Sequence, residues 1–403
     1  MNEAGHDANR DAGVLIAGGG LAAQRAAETL RRCGYDGAIR IVAGELDAPY
    51  DRPPLSKEFL TGEVGDAALR FRPDAWYAEQ RVELLLGERA AGLDPRTREV
   101  VLVGGRRLRF SQLLIATGSS PRRLPGTESF ANVHELRTLH DARRLRDTVG
   151  PGARVVVVGA GFIGQEVAAT ARRRGADVTI VEAAPAPLAA VLGTDLGGWF
   201  AQLHREEGVE VLLSAQIVRL HGDGAVRSVE LADGRRLACD ALVVGIGTQP
   251  ATAWLRGSGL DEDGVPVDAV GRTSLPGILA AGDASRPFDA RLRAHVRTEH
   301  WEAAGRQGAA AARAMLGLPP GPAAVPSFWS DQHGVRIQYL GHAHGADGVR
   351  IDGDAGARDF TATFTERDRP VAALIVGRPH AVPELRRQIH AAVTTTHPEG
   401  AAR

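Results

Sequence analysis

The feature that most constrains the fold occurs twice: a short apolar strand, a glycine-rich turn, a helix, and a second strand ending in an acid. In the first copy, residues 14–17 form the strand, residues 18–23 read Gly-Gly-Gly-Leu-Ala-Ala, and Glu45 follows the second strand. In the second copy, residues 154–158 lead into Gly-Ala-Gly-Phe-Ile-Gly, and Glu182 ends the pattern. This order, with an acid about 20 residues after the turn, is the fingerprint of a dinucleotide-binding unit.

Each part of the fingerprint has a physical purpose. Glycines allow a tight turn and let a pyrophosphate approach the helix N-terminus, where backbone N–H groups point at it. The acid accepts hydrogen bonds from ribose hydroxyls and repels a 2′-phosphate, so Glu182 favours NADH over NADPH, although arginines at 172–174 leave NADPH open. The repeat predicts an α/β fold with two Rossmann-like dinucleotide-binding domains; the alternative is one working site and one vestigial copy.

Between the two units lies the only lysine of the chain, Lys57, at the end of the stretch 50–57. Lysine is a compact point charge and arginine a planar fork, so the two are not interchangeable in a site. A lone lysine in an arginine-rich chain can be an accident of composition. Arg52-Pro53-Pro54 nevertheless stiffens the approach to it and limits where its side chain points, which favours a function.

Length and composition exclude several classes of protein. A chain of 403 residues suggests two to three domains at about 150 residues each. The net charge of −1 argues against a nucleic-acid binder, which needs a basic surface. Because no segment approaches the ~20 apolar residues of a membrane span, and residues 1–13 lack a signal peptide's apolar run, a cytoplasmic location is predicted.

Two cysteines, Cys33 and Cys239, lie far apart and outside any Cys-x-x-Cys pair. An iron–sulfur cluster usually takes four thiolates, so this chain cannot supply one from two thiols. No local dithiol is available for disulfide exchange either, and no metal site is predicted.

Short motifs along nearly the whole chain, taken in order, resemble one family. Besides the two glycine turns, they are Arg52-Pro53-Pro54-Leu55-Ser56-Lys57, Ala116-Thr117-Gly118, Leu136-Arg137-Thr138, Gly245-Ile246-Gly247, Ala281-Gly282-Asp283 and Phe328-Trp329-Ser330-Asp331-Gln332. The set is similar to that of the FAD-dependent NADH:ferredoxin reductases of oxygenase systems, the putidaredoxin and rubredoxin reductase family. Residues 184–188 depart from it, since they lack the arginine that the family often carries there.

The resemblance implies that the first unit binds FAD and the second binds NAD. The implied FAD contacts are Gly18, Gly20, Ala22, Ala23, Glu45, Arg52, Lys57, Ala90, Thr117, Arg137, Asp283, Trp301 and Trp329. The implied NAD contacts are Gly159, Gly161, Ile163, Gly164, Glu182 and Gly247. Lys57 and Glu166 are implied to be the catalytic residues, paired beside the flavin, although Glu166 alone could be a helix-surface acid.

Domain limits follow from two strands that cross between units and from a proline-rich break at 319–322. The predicted division is a disordered tail at 1–12, a discontinuous FAD-binding domain at 13–122 and 251–322, an NAD-binding domain at 123–250 and a C-terminal α+β domain at 323–403.

The activity implied by the resemblance is transfer of a hydride from NADH to FAD, then of single electrons to an acidic [2Fe-2S] ferredoxin that feeds an oxygenase or cytochrome P450. Arginines 286, 291, 293 and 297 form either a basic docking surface or a face balanced by neighbouring acids. The alternatives are an NADH oxidase or small-acceptor reductase and an apoptosis-inducing-factor-like NADH sensor. A disulfide reductase is disfavoured because no cysteine pair lies near Lys57. No nucleic acid or membrane partner is expected, and both a monomer and a homodimer remain open.

Overall fold

The computed structural model describes residues 12–322 and 324–395, so the predicted tail at 1–12 lies almost entirely outside the described residues. Residues 12–122 contain β1 (Val14–Ala17), α1 (Leu21–Arg32), β2 (Ile39–Ala43), α2 (Glu58–Thr61), α3 (Asp66–Leu69), α4 (Asp74–Glu79), β3 (Val82–Leu86), β4 (Ala90–Asp94), β5 (Glu99–Leu102), β6 (Arg107–Arg109), β7 (Gln112–Ile115) and β8 (Ser119–Pro121). Residues 123–250 contain β9 (Val133–His134), α5 (Leu139–Thr148), β10 (Arg154–Val158), α6 (Phe162–Arg173), β11 (Asp177–Val181), α7 (Ala189–Leu192), α8 (Thr194–Glu206), β12 (Glu210–Leu212), β13 (Ile217–Asp223), β14 (Ala225–Leu231), β15 (Arg236–Ala238), β16 (Ala241–Val244) and β17 (Thr248–Pro250).

The remaining elements complete the first unit and form the third. Residues 251–322 contain β18 (Val265–Val267), β19 (Ile278–Ala280), β20 (Ser285–Asp289), β21 (Ala294–His295) and α9 (Trp301–Met315). Residues 324–395 contain β22 (Ser327–Gln332), β23 (Val335–Gly341), β24 (Gly348–Asp354), β25 (Asp359–Glu366), β26 (Arg369–Val376) and α10 (Val382–Thr395).

The first unit is built on a parallel sheet of strand order β19-β7-β1-β2-β3. Its central strand β1 is buried along its whole length, as expected of a strand covered on both faces. Val14 and Ile16 pack against α1 and α9, whereas Leu15 and Ala17 pack against the three-stranded sheet β4-β5-β6. Alternation of side chains along the strand therefore produces two separate apolar layers.

Helices α1 and α9 approach each other closely because small residues line their contact. Ala22, Ala26 and Ala311 are among the buried residues of this layer. At Gly308, an added Cβ would lie 2.1 Å from the carbonyl oxygen of Ala22, so only glycine fits. The contact fixes the start of α1, which follows the first glycine turn.

The second unit repeats the architecture with a parallel sheet of order β12-β11-β10-β16-β9. Val155 and Val157 of β10 pack towards α6, and Val156 and Val158 pack towards the antiparallel sheet β13-β14-β15. The third unit is an antiparallel sheet of order β22-β23-β26-β25-β24, flanked by α8 on one face and α10 on the other.

Two parallel sheets and a C-terminal α+β unit confirm the predicted fold class. The domain limits themselves stay a prediction. In the described ranges, no helix is both long and apolar enough to cross a bilayer.

Candidate flavin and nicotinamide site

The first glycine turn is shaped by backbone contacts that leave no room for side chains. Gly18 has a φ of +125°, and an added Cβ would lie 2.0 Å from the carbonyl oxygen of Ala116. Gly20 has nothing within 4 Å of such an atom and precedes α1 without any side-chain cap. The first N–H groups of α1 therefore face open space, which fits a pyrophosphate.

The second turn has the same design. Gly159 has a φ of +97°, and an added Cβ would lie 2.5 Å from the carbonyl oxygen of Gly245. At Gly164, the corresponding atom would lie 2.3 Å from the carbonyl oxygen of Gly159, which lets α6 pack tightly on the turn. Gly161 precedes α6 without a side-chain cap, so this helix also presents free N–H groups. Both turns fit the dinucleotides that the sequence predicts.

The acid after each second strand is already held by neighbours. Glu182 accepts hydrogen bonds from the backbone N–H of Ala160 at 2.6 Å and of Ala184 at 2.8 Å. It is thus fixed beside the second glycine turn, where a ribose is expected. Glu45 binds Arg52 through Oε1 at 2.6 Å and accepts from the Tyr50 hydroxyl through Oε2 at 2.5 Å.

The Tyr50 hydroxyl links three parts of this corner. Burial raises its pKa, so it stays protonated and donates to Glu45. It also accepts from the N–H of Leu139 at 2.8 Å, at the start of α5. Arg52 is thereby oriented between Glu45 and the backbone carbonyl of Arg137, which it reaches at 2.5 Å.

A second polar group gathers where β7 and β19 end. Asp283 accepts from the Ser119 hydroxyl at 2.8 Å and pairs with Arg137 at 3.0 Å. Nearby in sequence, the Thr117 hydroxyl is buried and has no hydrogen-bond partner in the described chain. A buried polar atom left without a partner fits a bound polar ligand at this edge.

Two tryptophans predicted to contact FAD lie together. The Trp301 indole N–H donates to Asp51 at 2.6 Å, and its ring meets the edge of Trp329 at a centroid distance of 5.6 Å. Burial raises the pKa of Asp51, and the hydrogen bond from Trp301 opposes that effect. The Arg336 guanidinium lies over Trp329 at 5.3 Å.

The other predicted contacts are placed as follows. Ala22 and Ala23 lie in the first turn of α1, and both are buried. Ala90 begins β4 opposite Leu102, and its packing is with the apolar layer below the first sheet. Ile163, in the first turn of α6, is 50% exposed, and Gly247 follows β16 with a φ of +94°.

Lys57 and Glu166 come together from different units. Lys57 follows a short 3₁₀ turn, Pro53–Ser56, in which the prolines occupy the first positions. Its Nζ lies 2.7 Å from Oε2 of Glu166, a residue of α6, and 3.1 Å from the carbonyl oxygen of Pro53. The side chains are 11% and 3% exposed, so the pair is largely shielded from solvent.

The Glu166 carboxylate accepts two further hydrogen bonds from serines. The Ser56 hydroxyl donates to Oε2 at 2.5 Å, and the Ser330 hydroxyl of β22 donates to Oε1 at 2.7 Å. Several such contacts are expected for a buried carboxylate, since an unpaired charge in the interior is costly. All three units of the protein therefore contact one carboxylate.

A chain of hydrogen bonds continues from Ser330 within the third unit and then crosses to α8 of the second unit. Gln332 Nε2 donates to the Ser330 hydroxyl at 3.1 Å, so its Oε1 accepts from His204 Nε2 at 3.2 Å. Burial lowers the pKa of His204 to about 3, so the ring is neutral and its Nδ1 accepts from His333 Nε2 at 3.0 Å. Every donor in the chain points towards Glu166, and aligned hydrogen bonds of this kind polarise one another.

Sequence reasoning gave no role to the residues that form this series of hydrogen bonds. Ser330 and Gln332 stand two apart in a stretch already singled out, and a strand places such residues on one face. That spacing could have been noticed. Nothing in the sequence near His204 indicates its place, because it depends on how α8 packs on the third unit.

A cavity of about 660 Å³ opens beside the pair. Its wall includes Lys57, Thr61, Thr170, Asp331 and His333. The hydrogen-bonded series runs from His333 to Glu166 and its partner Lys57. Its two end residues, Lys57 and His333, therefore border the same cavity.

The arginines that follow Asp283 are mostly neutralised. Arg286 pairs with Asp261, Arg291 with Glu366 and Arg297 with Glu299. For these three positions the alternative of a balanced charged face describes the structure better than a free basic patch.

The family described as pyridine nucleotide-disulphide oxidoreductase matches residues 12–308, and the family described as reductase C-terminal matches residues 327–402. Over 344 residues the chain is 39% identical to the biphenyl dioxygenase system ferredoxin–NAD(+) reductase component of Paraburkholderia xenovorans, covering 85% of this chain and 84% of that protein. It is 36% identical to apoptosis-inducing factor 3 of Homo sapiens over 366 residues, covering 89% of this chain and 60% of that protein.

Among solved structures, the covalent complex of putidaredoxin reductase with putidaredoxin matches with a TM-score of 0.92 and 32% identity, over 94% of this chain and 93% of that chain. Sequence match, fold and both glycine turns agree over nearly the whole length. The chain therefore belongs to the pyridine nucleotide-disulphide oxidoreductase family, in the group that carries the reductase C-terminal domain.

Proposed function

We propose that this protein is an FAD-containing NADH:ferredoxin reductase that passes single electrons to a [2Fe-2S] ferredoxin of an oxygenase or cytochrome P450 system. The observation that carries the proposal is the shielded Lys57–Glu166 pair, which lies where the two dinucleotide-type units meet. The names of the similar proteins, which include a ferredoxin reductase component of a dioxygenase system, support the same activity.

The flavin, when bound, supplies the chemistry, because it accepts a hydride and gives up electrons one at a time. The protein binds and orients it. The uncapped N-terminus of α1 would hold the pyrophosphate of FAD, and the uncapped N-terminus of α6 would hold that of NADH. Asp283, Arg137 and the Thr117 hydroxyl would provide polar contacts to the flavin cofactor at the edge of the first sheet where β7 and β19 end.

Lys57 supplies a positive charge at a fixed place. Charge is worth several times more in a dry site than in water, and a preorganised group needs no rearrangement during the reaction. Glu166 and the Pro53 carbonyl hold Nζ in that place. In this proposal Lys57 stabilises negative charge that forms nearby, and Glu166 is the residue that positions it.

Glu182 is proposed to select NADH. Its carboxylate is held beside the second glycine turn by the backbone N–H groups of Ala160 and Ala184, where it would accept hydrogen bonds from a ribose diol and repel a 2′-phosphate.

Electrons must leave without a disulfide. Cys239 is buried, and burial raises its pKa to about 12, so it remains an unreactive thiol. Cys33 is the C-cap residue that follows α1, and neither cysteine forms a disulfide. A one-electron protein acceptor fits this arrangement. We include a cytoplasmic location in the proposal, since that compartment supplies NADH and the oxidised ferredoxin that accepts the electrons.

The proposal is tested by cytochrome c reduction with NADH, with and without an added acidic [2Fe-2S] ferredoxin. We expect at least a tenfold acceleration by ferredoxin and a strong preference for NADH over NADPH. Rapid oxygen consumption with no effect of ferredoxin would support a direct oxidase instead. Slow turnover with every acceptor, together with a change of oligomeric state on NADH addition, would support an NADH sensor.

Replacing Ser330 by alanine is expected to lower the free energy of unfolding by about 1–3 kcal/mol, because Oε1 of Glu166 loses its donor while buried. Ser330→Thr keeps a hydroxyl and is the matched control. Urea unfolding gives the stability, and the midpoint potential of bound FAD tests whether the electrostatics near Lys57 have changed. Equal stability and equal potential in Ser330→Ala and the wild type would show that the hydroxyl has no positioning role.

A further inference from the structure

The third unit ends in an uncovered edge strand. β24 spans Gly348–Asp354, pairs with β25 on one side only, and all 7 of its residues are exposed. On its free side the strand presents a row of backbone N–H and C=O groups, and among the carbonyls of the strand that of Asp352 accepts a hydrogen bond from Arg378 Nη1 at 3.4 Å. Proteins normally shorten, cover or distort such an edge because it is a template for pairing with another chain.

The strand also carries apolar side chains on one face. Val349 and Ile351 stand opposite Phe364 and Ala362 of β25, which belong to the buried layer of the sheet. The side chains of paired residues in antiparallel strands point to the same face of the sheet. Val349 and Ile351 therefore continue the apolar face of the sheet beyond its buried part. They are 53% and 51% exposed.

When two copies of β24 are aligned antiparallel, residues of opposite charge lie opposite each other. An antiparallel copy centred on Ile351 places Arg350 opposite Asp352, and Val349 opposite Gly353. Each relation occurs twice by symmetry, which is the property of an isologous two-fold contact. Two charge pairs and one apolar pair then face each other, flanked by side-chain–glycine pairs, and no like charges are opposed.

The backbone allows this register. In this register the numbers of two paired residues always differ by an even number. Because backbone N–H and C=O groups point alternately to the two sides of a strand, residues whose groups point to the free edge in one copy are then paired with residues whose groups point to the free edge in the other. The two-fold axis is perpendicular to the sheet and keeps both apolar faces on the same side. Val349 and Ile351 of both copies would form one continuous strip.

The charges support a second copy as the occupant. Within residues 12–322 and 324–395, Arg350 has no ion-pair partner. Asp352 is 78% exposed and is reached by Arg378 at 3.1 Å, from the side of its own sheet. A carboxylate has room for a second cation, and Arg350 of the other copy would come from the open side.

We propose that β24 pairs with β24 of a second copy, so that two five-stranded sheets join into one sheet of ten strands. The contact is small, and its dimer therefore forms and dissociates with concentration. Because β22, which carries Ser330, lies at the opposite edge of the sheet, the dimer leaves the candidate site uncovered. The inference is independent of the proposed function.

The test uses the full chain loaded with FAD, examined by sedimentation velocity across a wide range of concentrations. The wild type is expected to be a dimer at high concentration. Arg350→Asp is expected to raise the dimer Kd at least tenfold, because the new carboxylate would face Asp352 of the other copy at both symmetric positions. Asp352→Arg is expected to do the same, because the new guanidinium would face Arg350. Arg106→Asp makes the same change of net charge at an exposed position in the turn between β5 and β6, far from β24 in sequence, and serves as the control.

A mixture of the two variants tests directly whether Arg350 and Asp352 face each other in the dimer. A heterodimer of Arg350→Asp with Asp352→Arg restores an opposite-charge pair at both positions, so the mixture is expected to dimerise where neither variant does alone. A wild type that stays monomeric at every concentration overturns the proposal, and so does a dimer that Arg350→Asp leaves unchanged. A mixture that stays monomeric overturns the register centred on Ile351. FAD absorbance and circular dichroism confirm that each variant is folded.

Discussion

Replacing Lys57 by methionine is expected to slow the reduction of bound FAD by NADH about a hundredfold, while FAD stays bound. Methionine keeps much of the length and volume of the side chain but removes the charge and the donor to Glu166 at 2.7 Å. The Glu166 carboxylate, 3% exposed, is then left with the two serine donors only. Because this change leaves a buried charge unpaired, we also expect a loss of stability of about 3 kcal/mol.

Lys57→Arg separates charge from shape. It keeps the cation, but the planar fork is wider than an ammonium group and binds a carboxylate with two donors. The space around Nζ is bounded by Pro53, Ser56 and Glu166, which favours the compact group. We expect an intermediate rate and near-normal stability.

Stopped-flow absorbance measures the reduction step, and a redox titration gives the midpoint potential of the bound flavin. Loss of the cation should lower that potential, because reduced flavin carries negative charge. If both variants are reduced at the wild-type rate, then the lone lysine is an accident of composition. Thermal unfolding of the FAD-free protein provides a readout that does not depend on turnover.

Gly308→Ala is expected to abolish FAD binding or to destabilise the protein by about 3 kcal/mol or more. The added Cβ would lie 2.1 Å from the carbonyl oxygen of Ala22 and 2.9 Å from its Cα. These are backbone atoms and cannot rotate away, so α9 and α1 must separate. Ala22 lies in the first turn of α1, and the separation would displace the helix N-terminus that receives the pyrophosphate.

Gly305→Ala is the matched control in the same helix. Its added Cβ would lie 3.4 Å from the side chain of Leu21, which is ordinary contact, and alanine favours a helix by about 1 kcal/mol over glycine. This variant should therefore be as stable as the wild type or more stable. FAD content after purification and thermal unfolding compare the two. Equal FAD content and stability in Gly308→Ala would mean that the two helices tolerate the extra atoms.

Local pattern predicted most of the fold. The apolar strands before Gly18 and Gly159, and the acids after the following strands, determine two parallel sheets because each feature lies within about 30 residues of the next. The break at 319–322 likewise precedes the antiparallel third unit. Such signals are read from neighbours in sequence and need no knowledge of packing.

Contacts between units were predicted less completely. The resemblance implies that Lys57 pairs with Glu166, and the two do meet, while their catalytic roles stay predictions. Ser56, Gln332 and His204 were not foreseen, because their contacts cross from one unit to another. Sequence alone left the arginines after Asp283 open as a basic surface, because the acids that neutralise two of them, Asp261 and Glu366, are distant along the chain.

The single lysine has a chemical consequence for the whole protein. Side-chain amines are the targets of acylation, reductive methylation and amine-directed cross-linking, and this chain offers one such target besides its α-amino group. That amine lies in a hydrogen-bonded cage of Glu166, Ser56 and the Pro53 carbonyl and is 11% exposed. Because Lys57 also lines the cavity beside Glu166, the rate of an amine-specific reagent would report on how accessible this one site is.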